Sequence, residues 1–323
     1  MSQVFAYIAH KDGVADDTAL ELVVAAKKIY PDAQVTAIVT GSGSELDAVC
    51  NDVASTYNEV WKIDKAELSY PNAEVIRGML VGLLPNDAVV ILPHNTFGMD
   101  LGPGLSIKLD SAFVADVVDI ESIDGSVLNM VRQEYSGQVS THVFCDIAAG
   151  AVINARAGSF PADESKSASG TVIDKTSEAV VGEPLRKYLE TVVAEVGDVD
   201  ITKSDILVSV GRGIEDEDNL EIAQELAEAM GADVACSRPI VDSKWLEKSR
   251  QVGTSGQTVK PKVYMACGIS GSFQHLGGIK GSPFIVAINK NPKAPIFQVA
   301  EVGIIADILE FIPELTDKIN EMK

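Results

Sequence analysis

Cysteine and histidine are both scarce in this sequence, and each shortage removes a class of chemistry. The four cysteines, Cys50, Cys145, Cys236 and Cys267, never form a C-x-x-C pair, so zinc knuckles and iron–sulfur runs are excluded. Thiols this far apart in a long chain read as reduced and buried, which points to the cytoplasm. The four histidines, His10, His94, His142 and His275, are too scattered to suggest a metal site. No Ser/His/Asp spacing suggests acyl transfer. Positive charge is also in deficit: 26 Lys and Arg stand against 47 Asp and Glu, a net −21 at pH 7. Surfaces for nucleic acid or anionic membrane need clustered cations, so neither partner is expected. Long hydrophobic runs are missing too. The most apolar region, near residues 75–92, is broken by Arg77, Pro85, Asn86 and Asp87, so no membrane insertion is expected. The opening MSQVFAYIAHKDG lacks a basic start, an apolar core and a cleavage site, and no leader peptide is expected from it. A G-x-x-x-x-G-K-[ST] phosphate loop is absent.

What the chain does have is apolar residues in an α/β rhythm. Hydrophobic residues make up 46% of 323 positions, and at ~150 residues per domain that length suggests about two domains. In the first half, expected strands Val4–His10, Gln34–Thr40, Val60–Ile63 and Ala88–Pro93 alternate with expected helices Thr18–Tyr30, Glu45–Ala54 and Asn72–Leu84. Continuous β-branched runs between helices are the pattern of a parallel sheet with crossover helices. From Ala112 to Phe160 the rhythm turns β-rich, with strands Ala115–Ile120, Val127–Glu134, Gln138–Phe144 and Ala151–Ala155 joined by Asp124-Gly125 and Ser136-Gly137 turns. Residues Ala162–Gly170 read as a mobile polar loop, Thr191–Val196 as a strand and Gly197–Asp205 as a hinge. The rhythm then restarts. Strands Ile206–Val210, Asp233–Cys236, Val263–Cys267, Phe284–Asn289 and Pro295–Val299 are expected, with helices Asn219–Met230, Ser272–Ile279 and Ile304–Phe311. The fold class is therefore α/β in two domains: residues 1–196 with an added β-rich section, and residues 206–323 as a Rossmann-like, doubly wound parallel sheet.

Three features of the second domain place small or polar residues at carboxyl ends of expected strands, where open α/β sheets bind ligands. Gly211-Arg212-Gly213 follows Ile206–Val210; its glycines let backbone approach a ligand and Arg212 offers a fork for phosphate. A glycine turn with a surface arginine is the plainer reading, since the third fingerprint glycine is missing. Ser237-Arg238-Pro239 follows Asp233–Cys236, and Pro239 should hold Arg238 extended; a structural salt bridge would explain this arginine as well. The polar loop Gln251 to Thr258 leads through Pro261 into Val263–Cys267, which is followed by Gly268-Ile269-Ser270-Gly271-Ser272-Phe273-Gln274-His275. Ser270 or Ser272 suits a helix N-cap, with Gln274 and His275 in the first turn beside the same cleft. Gly41-Ser42-Gly43-Ser44 is another incomplete glycine fingerprint, in the first domain.

The segments VSVGRGIED (208–216), CSRPIVD (236–242), QVGTSGQTVKPKVYMACGISGSFQHLGGIKGS (251–282) and FIVAINKNPKAPIFQVAEVGIIADILEFIPELT (284–316) closely resemble the flavin-binding domain of electron-transferring flavoprotein alpha subunits. RQEYSG (132–137) and ARAGSFP (155–161) resemble the family's amino-terminal domain more loosely. The resemblance implies FAD as cofactor, a beta subunit as heterodimer partner, and a carrier that relays electrons rather than a complete enzyme. It places Arg212, Ser237, Arg238, Val252, Gly253, Thr254, Ser255, Gly268, Ser270, Gly271, Ser272, Phe273, Gln274, His275, Asn289, Asp307 and Ile308 beside the FAD. Arg238, Ser255 and His275 would neighbour the flavin ring and tune its potential; Arg212, Asn289 and Asp307 would serve phosphates, ribose and adenine. Thr254-Ser255-Gly256-Gln257 departs from the Q-T-G-K of many members, keeping a hydroxyl but altering its surroundings. Partner dehydrogenases of the acyl-CoA type and a quinone-linked acceptor are implied, or alternatively bifurcation of electrons from NADH with ferredoxin as an acceptor. Two readings outside the family are a nicotinamide-dependent dehydrogenase, which would need the full glycine fingerprint, and a nucleotide-binding interaction module.

Overall fold

Alternate side chains of Val4–Tyr7 (β1) enter opposite cores, Val4 and Ala6 on one face and Phe5 and Tyr7 on the other. A strand buried on both faces needs helices on both, and the chain supplies them. The computed structural model describes residues 3–135, 139–190, 199–281 and 283–323, and the chain divides into two units, 1–190 and 191–323.

In the first unit, β1 is followed by a small hairpin of His10–Lys11 (β2) and Val14–Ala15 (β3), then Thr18–Ile29 (α1), Val35–Gly41 (β4), Glu45–Val53 (α2), Glu59–Asp64 (β5), Ala73–Leu83 (α3), Val89–Pro93 (β6) and Thr96–Leu109 (α4). Ala112–Asp124 (β7), Val127–Glu134 (β8), Val139–Asp146 (β9), Ala151–Ala155 (β10) and Thr171–Asp174 (β11) complete it. The sheet runs β11-β5-β4-β1-β6-β10-β7-β8-β9; it is parallel from β11 to β7, and β8 and β9 extend it antiparallel. The second unit contains Ile206–Val210 (β12), Leu220–Met230 (α5), Asp233–Cys236 (β13), Arg238–Asp242 (α6), Val263–Cys267 (β14), Phe273–Leu276 (α7), Phe284–Ile288 (β15), Val302–Ile304 (β16) and Ile308–Glu321 (α8). Its sheet, β13-β12-β14-β15-β16, is parallel throughout. In chain order this is 2-1-3-4-5, so the direction of winding reverses between β12 and β14.

Several expectations need correction. Pro295–Val299 is not a strand: residues Pro295–Gln298 form a 3-10 turn, and the sheet's last place goes to β16, paired with Val286–Ile288. The final helix starts at Ile308 rather than Ile304, because Asp307 caps it by accepting from Leu309 N at 3.0 Å. The helix expected over Ser272–Ile279 is only Phe273–Leu276. Helix α4 was unforeseen; Gly98, Gly102, Pro103 and Gly104 conceal it. The loop Ala162–Gly170 is pinned rather than free: Asp163 N donates to Leu20 O, Ala168 N to Ser55 O and Gly170 N to Ala54 O. Lys166 also pairs with Asp52 at 2.6 Å. The Ser136-Gly137 turn, the strand Thr191–Val196 and hinge residues 197–198 lie outside the described residues. The rest of the expected hinge is anchored in the second unit, where Ile201 is 1% exposed in a core with Leu207 and Tyr264.

Candidate functional site

Four neighbouring parallel strands of the second unit end on the same side, and their carboxyl-terminal loops bring most of the expected site residues together. The loop after β12 lies against the loop after β14. Gly211 N donates to Cys267 O at 2.9 Å and Gly213 N to Gly268 O at 3.1 Å. A Cβ on Gly211 would stand 2.5 Å from Gly268 O. These glycines therefore serve loop-to-loop packing against Gly268. Arg212, between them, is exposed and makes no ion pair among the described residues.

Beyond β13, Ser237 is extended and buried while Arg238 opens α6, with Pro239 within its first turn. Proline is tolerated there because the N–H it lacks would have no helical partner. Arg238 is thus helical, not held extended as expected from the proline. Its side chain is 69% exposed and meets Asp242 at 3.4 Å.

The segment after Arg250 crosses this end of the sheet. Val252 N donates to Cys236 O at 2.8 Å, and Thr254 N to Gln274 O at 2.8 Å. Gly253 has φ +144°, and its missing Cβ would stand 2.8 Å from Gln274 O. Thr254 and Ser255 are exposed, and Ser255 Oγ accepts from Gln251 Nε2 at 3.0 Å. After β14, Gly268 (φ +66°) and Gly271 (φ +79°) turn the chain into α7. Ser272 occupies the N-cap position without a side-chain cap bond, so its hydroxyl, like that of exposed Ser270, is not spent on the helix. Phe273 and Gln274 are exposed on α7.

His275 turns inward and is 5% exposed. Its Nε2 lies 2.8 Å from Tyr264 Oη, and its Nδ1 makes no regular hydrogen bond among the described residues. Burial lowers its pKa to about 4, offset in part by the Val252 backbone. The folded pKa lies below the usual ~6.5, so the unfolded chain takes up the proton first. Neutral His275 stabilises the fold fully above pH 6.5, and that stability drains away as pH falls toward 4. Relative to His275→Gln, the native chain is expected to lose about 1.4 kcal/mol by pH 5.5. Urea melts at pH 7.5 and 5.5 check this, and an equal loss in both proteins would contradict it.

Asn289 and Asp307 are committed to the protein. Asn289 Nδ2 donates to Ile269 O at 2.9 Å, and its Oδ1 accepts from Asn291 N at 2.9 Å. Asp307 caps α8 and meets Lys290 at 2.9 Å; Lys290 also meets Glu215 at 2.8 Å. The Lys290 ammonium and then the Leu309 N–H hold the Asp307 carboxyl below the usual range. Ile308 is a core residue, 2% exposed. These three, expected beside a ligand, also shape the loops at this end of the sheet through their side chains. Gln251, Tyr264 and Lys290 were not singled out from the sequence. Gln251 opens the polar loop, but no pattern in the chain shows that its amide reaches Ser255. A recess of about 990 Å³ along β13, lined by Trp245, Leu246, Val241 and Arg250 among others, contains none of the expected site residues.

Charge and hydrogen-bonding capacity agree on what these loops could hold. Arg212, Arg238, Thr254, Ser255, Ser270, Ser272 and Gln274 are exposed on one end of one sheet, and a ligand rich in acceptors and negative charge would use them. No helix among the described residues is long and apolar enough to cross a membrane.

Residues 4–180 match the family model of the electron transfer flavoprotein domain, and residues 200–280 that of the electron transfer flavoprotein FAD-binding domain. Among curated proteins, the electron transfer flavoprotein subunit alpha of Methylophilus methylotrophus is 34% identical over 98% of this chain and 98% of its own length. That of Bacillus subtilis (strain 168) is 31% identical over 97% of this chain and 95% of its own. Protein FixB of Clostridium saccharobutylicum is 30% identical over 99% and 96%. With both units matched, and with relatives aligned from end to end, this chain belongs to the electron transfer flavoprotein family as an alpha subunit whose cofactor is FAD.

Proposed function

We propose that this chain, with a beta subunit, forms a heterodimer that carries electrons from dehydrogenases of the acyl-CoA type to a quinone-linked acceptor in the cytoplasm. The observation that carries this is the gathering of two exposed arginines, Arg212 and Arg238, with the hydroxyls of Ser255, Ser270 and Ser272 at one carboxyl end of the second unit. FAD, when bound, supplies reversible storage of one or two electrons.

The residues fit that group. Arg212 provides a guanidinium for the diphosphate. Arg238 would face the negative charge gained on reduction, and Ser255 would donate a hydrogen bond toward the ring. His275, whose Nε2 lies 2.8 Å from Tyr264 Oη, would neighbour the ring from within the loop. Asn289 and Asp307, which also hold the surrounding loops in shape, would serve the ribose and adenine. Residues 1–196 are assigned to the beta-subunit interface and 206–323 to FAD. Movement between the two units would let the flavin reach donor and acceptor in turn. The cytoplasmic placement is supported by four free cysteines, all buried.

Co-expression with the beta subunit, followed by flavin counting and reduction by an acyl-CoA with its dehydrogenase, tests the reading. One FAD per heterodimer and reduction by that donor are expected. Two FAD per heterodimer, with NADH as donor and ferredoxin among the acceptors, would replace this reading by electron bifurcation. Bound nucleotide without yellow colour would leave only a nucleotide-binding module. Removing the FAD is expected to lower stability by about 1.4 kcal/mol relative to protein with free FAD at ten times its Kd; thermal melts with and without added FAD measure it.

A further inference from the structure

We propose that Gln251 is a positioning residue for the flavin, acting by setting the direction in which the Ser255 hydroxyl donates. The proposal rests on the reading that Ser255 faces the flavin ring. Gln251 is 4% exposed and its backbone is held from several sides. Its N–H donates to Lys248 O at 3.1 Å, and its carbonyl accepts from Gln257 N at 2.6 Å. It also bridges to Cys236, at the end of β13. The turn that follows is built around it, since a Cβ on Gly256 would stand 2.3 Å from Gln251 O.

From this anchored position the amide Nε2 donates to Ser255 Oγ at 3.0 Å. A hydroxyl has one proton and two lone pairs. With one lone pair occupied by the buried amide, the proton is left to point away from it, toward the exposed side of the loop. Serine lacks the β-methyl that would stiffen its χ1, so the Gln251 amide is the restraint on its rotamer. A donor already aimed where negative charge develops needs no reorganisation at the moment the charge arrives. Gln251 thereby affects the flavin potential without touching the ring.

The test is a redox titration of the FAD-loaded protein, co-expressed with its beta subunit, for Gln251→Met, Ser255→Ala and the double variant. Methionine keeps the length and removes the N–H without adding charge. Gln251→Met is expected to shift the one-electron equilibrium roughly threefold toward the oxidised flavin, about 28 mV at about 59 mV per tenfold. Ser255→Ala is expected to shift it at least as far, and Gln251→Met to add nothing in the Ser255→Ala background. If Ser255→Ala shifts the potential and Gln251→Met does not, the positioning role is wrong while the site reading stands. If Gln251→Met acts equally in both backgrounds, it does not work through Ser255 and the proposal is overturned. If Ser255→Ala changes nothing, the site reading itself fails, and the proposal with it. Should Gln251→Met fold poorly, Gln251→Glu is titrated in the same two backgrounds, where only a shift that depends on Ser255 supports the role.

Discussion

Arg238→Ala is expected to lower the flavin potential by roughly 85 mV while leaving the fold nearly as stable as before. One positive charge about 4 Å from one added negative charge is worth about 4 kcal/mol at an effective dielectric of ~20, and about 1 kcal/mol in bulk water. The guanidinium is 69% exposed, so an intermediate value of about 2 kcal/mol applies, and about 59 mV corresponds to each tenfold of a one-electron equilibrium. The cost to stability is small because the side chain's ion-pair partner is Asp242, an i,i+4 surface pair at 3.4 Å; such pairs are worth about 0.5 kcal/mol or less. Spectroelectrochemical titration and a urea melt of the same preparation give both numbers. An unchanged potential would remove Arg238 from the flavin ring, and a large loss of stability would make it a structural residue.

Gly271→Ala is expected to destabilise the second unit by about 3 kcal/mol and to abolish FAD retention. Gly271 has φ +79°, and a Cβ there would stand 2.4 Å from Ile296 N and 2.6 Å from Ile296 Cα. Both atoms are main chain, so no side chain can swing aside. Ile296 is 0% exposed and its N–H donates to Ser270 O at 3.1 Å. Relief of the clash would displace Ser270 and Ser272 together. Gly231 is the control. It ends α5 with φ +64°, and a Cβ on it would meet nothing within 4 Å. Gly231→Ala should therefore cost only the left-handed conformation, about 1 kcal/mol, and keep its FAD. Equal losses in the two variants would show that conformation, not contact with Ile296, sets the requirement for glycine at 271.

Much of the second unit was legible along the chain because its strands are buried on both faces. Ile206–Val210, Asp233–Cys236 and Val263–Cys267 stand where the β-branched and apolar runs place them. The same signal misleads at Pro295–Val299, where Ile296 and Phe297 look like strand residues but Ile296 is buried against Gly271 in a 3-10 turn. Helix α4 was illegible for the converse reason. Its glycines weaken any local preference for helix, yet Gly102 leaves room for Asn154 and Phe113 to pack against it, a tertiary gain that no local pattern records.

The site divides in the same way. Which loops are candidates for the chemistry follows from sequence, because parallel strands place their carboxyl ends together and the polar and glycine-rich segments follow those strands. The family, and FAD with it, follow from sequence as well. What each residue does within the loops depends on contacts between distant segments. Gly211 and Gly213 pack on Gly268, and Asn289 and Asp307 spend their side chains on the scaffold. His275 turns inward to Tyr264, and Gln251 reaches Ser255. Hydrogen bonds and steric exclusion act over a few ångströms in space, and separation along the chain carries no record of which groups will meet at that range. Residue types and strand order decided which end of the sheet gathers the polar loops; only the packed loops decided which of their side chains bond to the protein and which face outward.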